Sequence, residues 1–128
     1  MRDVAVIGVG MTKFGKHLAL SMKDLGREAV EEALKDAGIE KNKIQMAWVG
    51  NAMAGIVTGQ ECIRGQVVLR AAGIGGIPVT NVENACASAS TAFQGAWLAV
   101  ASGFCDIALA LGVEKLYHED KSVSFKAL

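Results

Sequence analysis

The sequence predicts an open α/β sheet with right-handed crossovers. Three observations carry the prediction: short apolar runs rich in β-branched residues, helical stretches between them, and a glycine at the end of each helical stretch. The order is β-α-β-α-β-α-β, four strands alternating with three helices. At 128 residues the chain fits one domain with one core.

Residues 4–9 (VAVIGV) are almost continuously apolar, as a parallel strand covered on both faces would be. Ser21 and Asp24 then form a capping-box start. Met22, Leu25, Ala29, Ala33 and Ala37 repeat at helical spacing until Gly38, with Arg27, Glu28, Glu31 and Lys35 on the wetter side. Residues 46–50 (MAWVG) read as a second strand, and a second helix is expected over 60–72, ended by Gly73. A third strand is expected around Ile77, Pro78, Val79 and Val82, a third helix over 86–102 closed by Gly103, and a fourth strand over 106–112. These elements place an α/β domain at 1–116. Residues 117–128 turn polar and lose their period, as a tail or the opening of a loop insertion would.

Composition excludes several classes. Hydrophobic residues at 52% and a single proline exclude a disordered chain. Lys plus Arg and Asp plus Glu are 13 each, so no net field draws nucleic acid or an anionic membrane. The apolar run at 85–101 is built from Ala, Ser, Thr and Gly rather than Leu and Ile, so it reads as a buried helix and not a membrane span. The amino terminus lacks a signal-peptide pattern. The unpaired set Cys62, Cys86 and Cys105 has no C-x-x-C spacing, so free thiols, a reducing cytoplasmic compartment and no metal site are expected.

The third helix is unusual. From 87 to 102 there is no Asp, Glu, Lys, Arg or His, so it has no wet face and is expected to be covered all round by a second domain, a second subunit, or both. Ala87, Ala89, Ala92, Gly95 and Ala99 are expected to let another helix approach closely.

Cys86 lies at the start of that helix, in NVENACASAS. Unpaired N–H groups and the positive helix end favour a thiolate there and can place a thioester carbonyl beside it. Position alone leaves a second reading open, a small buried filler. Cys62, expected on the second helix, and Cys105, in the turn before the last strand, read as structural. Gly8, Gly10 and Gly15 do not match the dinucleotide fingerprint, because Met11 to Phe14 intervene before any helix. His17 and His118 sit in polar loop contexts, and no G-x-S-x-G elbow accompanies Ser88 or Ser90.

Taken together, GVGMTKFG, the Gly59-Gln60 pair, IPVTNVENACASAS and LALGVEKL resemble the thiolase family over practically the whole chain, in particular its sterol-carrier-associated and archaeal branches. The resemblance implies that this chain is a thiolase-like half, one layer of an expected five-layer α-β-α-β-α sandwich of two like α/β halves, with the cysteine helix in the middle layer. It implies that Cys86 is the catalytic nucleophile, taking an acyl group from acyl-CoA in cleavage or condensation of a β-ketoacyl-CoA. Coenzyme A thioesters are then substrates, with no bound cofactor. The partner is a second copy in a homodimer or a carboxy-terminal half. The family's second cysteine and its histidines have no match here, so this chain alone is expected to be inactive. A ketoacyl synthase or hydroxymethylglutaryl-CoA synthase, or a non-catalytic thiolase-like subunit, are the alternatives. One departure stands out: many thiolases carry glycine where this sequence has Ala89, and the added methyl is expected to narrow the acyl pocket or to mark a variant chemistry, without removing the nucleophile.

Overall fold

The computed structural model describes residues 1–127. Helix α1 (Met22–Ala37) begins and ends as its sequence dictates. The Ser21 hydroxyl accepts from the Asp24 N–H, the Asp24 carboxylate accepts from the Ser21 N–H, and Gly38 closes the helix at φ 66° with its N–H on the Leu34 and Lys35 carbonyls. Strands β1 (Met46–Gly50), β2 (Val79–Val82) and β3 (Ala108–Gly112) form a wholly parallel sheet in the order β2-β1-β3. Gly50 pairs with Val82 on one side and Gly112 on the other.

Between β1 and β2 the chain forms α2 (Ala54–Thr58) and α3 (Arg64–Ala71), where the sequence predicted one helix over 60–72. Ile63, at φ 46°, marks the break, and Cys62 lies in the exposed loop before it rather than on a helix. Helix α4 (Ser88–Ala101) joins β2 to β3, and α5 (Lys121–Lys126) follows, capped by Asp120. The polar stretch after Tyr117 thus contains a short helix that its lost periodicity concealed.

The two faces of the sheet differ. Helices α1 and α3 cover one: the Cα of Gly65 comes up against Val49, and that of Gly26 against Val68 and Leu111. Leu69, Val30, Val49 and Val68 are fully buried there. Each such side chain contributes about 1.5–3 kcal/mol of hydrophobic stabilisation. Helix α4 alone covers the other face, over Trp48, Gly50 and Gly112.

Residues 4–9 are not a strand in this sheet. They run past the free edge of β3, separated from it by a cavity of about 320 Å³ walled by Val30 and Ala33 of α1 and by Phe93 and Trp97 of α4. Ladder bonds require strands about 4.8 Å apart. The segment takes its partners elsewhere instead: the Val9 N–H donates to Asp36 at 2.9 Å, the Met11 N–H to Glu32 at 2.7 Å, and the Arg2 N–H to the Ala101 carbonyl at 2.9 Å. Gly8 and Gly10 let this segment lie on α1, since a Cβ on Gly8 would come 2.6 Å from that of Ala37 and one on Gly10 2.5 Å from the Ala33 nitrogen. Their spacing therefore serves packing.

Helix α4 carries no charged side chain, and its outer face is uncovered among the described residues. Its outward residues Phe93, Trp97 and Leu98 are 50, 39 and 46% exposed. The small residues, though, do not wait for a second helix. Ala92, Ala96 and Ala99 are buried against the chain's own sheet, and a Cβ on Gly95 would come 2.6 Å from the Trp48 ring. Small side chains bring α4 down onto β1 and β3, which leaves the large ones on the outside. No helix among the described residues is long and apolar enough to cross a membrane.

Candidate functional site

The carboxyl ends of the three parallel strands gather the polar and reactive groups, the usual place for a site in an open α/β sheet. Cys86 is there, exposed, in the turn that leads from β2 into α4. The helix proper starts at Ser88, two residues later than predicted, so Cys86 precedes the Ala87 cap rather than occupying the first turn.

That turn is tightly specified. Ala85 adopts φ 45°, a conformation that costs a residue with a Cβ about 1–2 kcal/mol. Its N–H donates to the Glu83 carboxylate at 2.7 Å, and its carbonyl accepts from the Ser88 hydroxyl at 2.7 Å. The same hydroxyl accepts from the Asn84 N–H at 2.8 Å, so one buried side chain ties both ends of the turn. The Asn84 amide donates to Thr91 at 3.0 Å, pinning the loop to the second turn of α4. Ser88 thus bonds back to the preceding turn and, by accepting from Asn84 as well, is its keystone.

No side chain caps α4. The Ala87 and Ser88 N–H groups donate to the Asn84 and Ala85 carbonyls at 2.9 and 3.2 Å, so the positive end of the helix and the N–H groups of Ala89 and Ser90 are what is left to act on a group bound beside Cys86. An exposed thiol in that field can attack a carbonyl carbon while N–H groups receive the developing negative charge on its oxygen.

The other cysteines are placed differently. Cys62 is exposed, and the Gln60 amide folds over to donate to its carbonyl at 2.6 Å. Cys105 is buried between α4 and β3, where burial pushes its thiol up from the ordinary value, opposed in part by the Arg2 guanidinium. His17 and His118 bond within their own loops, to the Lys13 carbonyl at 2.6 Å and the Asp120 N–H at 3.1 Å.

Sequence reasoning missed a second polar cluster at the same end of the sheet. Asn51, buried just after β1, donates to the Val113 carbonyl at 2.6 Å and to Glu114 at 3.2 Å. Its carbonyl oxygen accepts from the Ala54 N–H at 3.1 Å and from Arg64 at 3.2 Å. The Glu114 carboxylate also accepts from the Ala52 and Met53 N–H groups. The cluster locks the loops after β1 and β3 together. The only signal was the GVEKL string, in which Glu114 carried no spacing rule of its own.

Comparison with known proteins places this geometry. Residues 4–127 match the protein family described as thiolase, N-terminal domain. The chain is 47% identical over 116 residues to the acetyl-CoA acetyltransferase of Methanothermobacter thermautotrophicus, covering 91% of this chain and 30% of that protein. It is 42% identical over 115 residues to the benzoylsuccinyl-CoA thiolase subunit BbsB of Thauera aromatica, covering 88% and 28%. Sterol carrier protein 2 of Gallus gallus is 40% identical over 117 residues, covering 90% and 20%. Among solved structures, the Acat5 thiolase of Ascaris suum, crystallised with coenzyme A, superposes with a TM-score of 0.71 at 23% identity over 85% of this chain and 28% of its own, a likeness of fold. The chain thus spans less than a third of the length of these relatives.

Proposed function

Because the chain belongs to the thiolase family, whose amino-terminal domain it matches over residues 4–127, we propose that it is the nucleophile-bearing part of a thiolase-type acyl-CoA acyltransferase, with Cys86 as the acyl carrier. The observation that carries this reading is the pairing of an exposed Cys86 with an uncapped helix start in a turn held by Ser88.

The Cys86 thiolate attacks the carbonyl carbon of an acyl-CoA thioester. A new C–S bond forms to Cys86, the bond to the CoA sulfur breaks, and CoA leaves as its thiolate, to be protonated. In condensation the acyl-cysteine then passes its acyl group to the α-carbon of a second thioester, which has lost a proton, and the Cys86 thiolate leaves. In cleavage Cys86 instead attacks the 3-keto carbon of a β-ketoacyl-CoA, and the C2–C3 bond breaks. The released acyl-CoA takes a proton on its α-carbon, and CoA then takes the acyl group from Cys86. The α4 N–H groups stabilise the tetrahedral oxyanion in each acyl transfer. The acid and base that move protons in the second step come from beyond these residues, so the chain alone does not turn over. On this reading residues 1–116 are the amino-terminal α/β domain and 117–128 open a loop insertion. The exposed outer face of α4 is covered by the rest of a two-domain subunit or by a second copy in a dimer. Two exposed free thiols suit a reducing compartment such as the cytoplasm.

Alkylation with iodoacetamide provides the test, and Cys62 is its internal control because both thiols are exposed. Exposure alone predicts equal rates. A thiol tuned for attack predicts that Cys86 is modified first at neutral pH, as peptide mass mapping would read. Equal labelling of Cys62 and Cys86 would sink the assignment.

A further inference from the structure

We propose that Gly112 and Ala89 are positioning residues for Cys86: the bare Cα of Gly112 receives the Ala89 methyl and so sets how the start of α4 sits on the sheet. This rests on the reading of Cys86 as the acyl carrier.

Gly50 and Gly112 are register partners at the ends of β1 and β3, and both face α4. A Cβ on Gly50 would come 2.5 Å from the Ser88 carbonyl carbon and 2.7 Å from the Ala89 nitrogen. A Cβ on Gly112 would overlap that of Ala89. Neither glycine is among the positive-φ residues, so any amino acid could adopt their backbone conformation. Space, and not dihedral freedom, requires glycine at both places. The paired glycines form a flat seat under the first turn of α4, while Trp48 beneath Gly95 supports the middle of the helix.

The seat reaches Cys86 through Ser88. Its backbone rests on Gly50, and its hydroxyl holds the Asn84 N–H and the Ala85 carbonyl on either side of the turn that presents the sulfur. Lifting Ala89 off Gly112 therefore drags the Ala85–Cys86 turn with it. The Ala89 methyl meets β3, so the departure from glycine at this position acts on the seat.

The test exchanges one methyl between helix and strand in the 128-residue chain. In Gly112→Ala the rate of Cys86 alkylation relative to Cys62, followed against pH, falls on the order of tenfold, as for a reactive group displaced by a fraction of an ångström. The double variant Ala89→Gly/Gly112→Ala places one methyl back in the same space and restores the ratio to within about twofold. Gly95→Ala crowds Trp48 in the same helix and serves as the control, lowering the melting temperature while leaving the ratio unchanged. If Gly112→Ala does not fold, the double variant still decides, since it must fold and label as the parent does. An unchanged ratio in Gly112→Ala, a double variant that is not rescued, or an equal loss in Gly95→Ala would overturn the seat while leaving the acyl-carrier reading intact. Equal labelling of Cys62 and Cys86 in the parent chain would overturn both.

Discussion

Helices α1 and α4 flank the same sheet and are built by opposite rules. Helix α1 turns Met22, Leu25 and Val30 inward and shows water Arg27, Glu28 and Glu31, with Arg27 pairing to Asp24 at 3.1 Å and to Glu31 at 4.0 Å. Helix α4 turns alanine and glycine inward, shows Phe93, Trp97 and Leu98, and has no side-chain cap. The first is finished by local means: cap, stripe and C-terminal glycine. The second is also closed by a glycine, Gly103 at φ 81°, but it has neither a side-chain cap nor a charged stripe, and Cys86 stands beside its uncapped amino end. On the reading proposed for Cys86, the helix gives up at that end the local devices that would otherwise have closed it.

The contrast can be broken most sharply inside α4. Ala92 is fully buried against the sheet, so Ala92→Leu forces extra carbons into a closed contact and costs up to about 3 kcal/mol, read by urea denaturation. A cost below about 0.5 kcal/mol would show that α4 rides loosely on the sheet.

At α1 the expected effect is smaller. Ser21→Ala removes the cap and costs about 1 kcal/mol. Acid sharpens the same point. Hydrogen bonds from the Ser21 hydroxyl and N–H, with help from Arg27, hold the Asp24 carboxyl below its ordinary value. A depressed acid stabilises the folded state fully above the unfolded value and loses that contribution as pH falls through the lower folded one. The stability difference between the parent and Ser21→Ala therefore shrinks as pH drops from about 6 to about 2, and a constant difference would refute the capping box as its source.

The smallest effect on stability belongs to the outer face of α4. Trp97→Glu changes the free energy of unfolding by no more than about 0.5 kcal/mol, because a half-exposed ring loses little. It also reduces self-association in sedimentation experiments, because a charge now interrupts the apolar face. A large loss of stability without any change in association would mean that the ring packs within its own chain.

Elements with local signals were legible in the sequence: the Ser21–Asp24 box, the Gly38 closure, the apolar runs of β1 and β3, and the charge-free stretch of α4. The candidate cysteine was legible because a strand end, a helix start and a thiol coincide at one place. What the sequence did not disclose needed partners far along the chain. Residues 4–9 have strand composition and yet no ladder, because a cavity separates them from β3. The break at Ile63 lies inside a stretch of helical composition. The inward direction of the alanines in α4 depends on Trp48, and the cluster of Asn51 with Glu114 joins residues more than sixty apart.

By itself, then, the sequence determined the cap and closing glycine of α1, the strands β1 and β3, the charge-free character of α4, and that Cys86 stands close to a helix start, because these follow from side chains within a turn or two of one another. Only the tertiary structure decided which face of α4 meets the sheet, how Ser88 binds the turn, and that Gly50 and Gly112 open the space beneath it. Those outcomes depend on how closely two surfaces distant in sequence approach, and steric fit between surfaces leaves no periodic trace in either one.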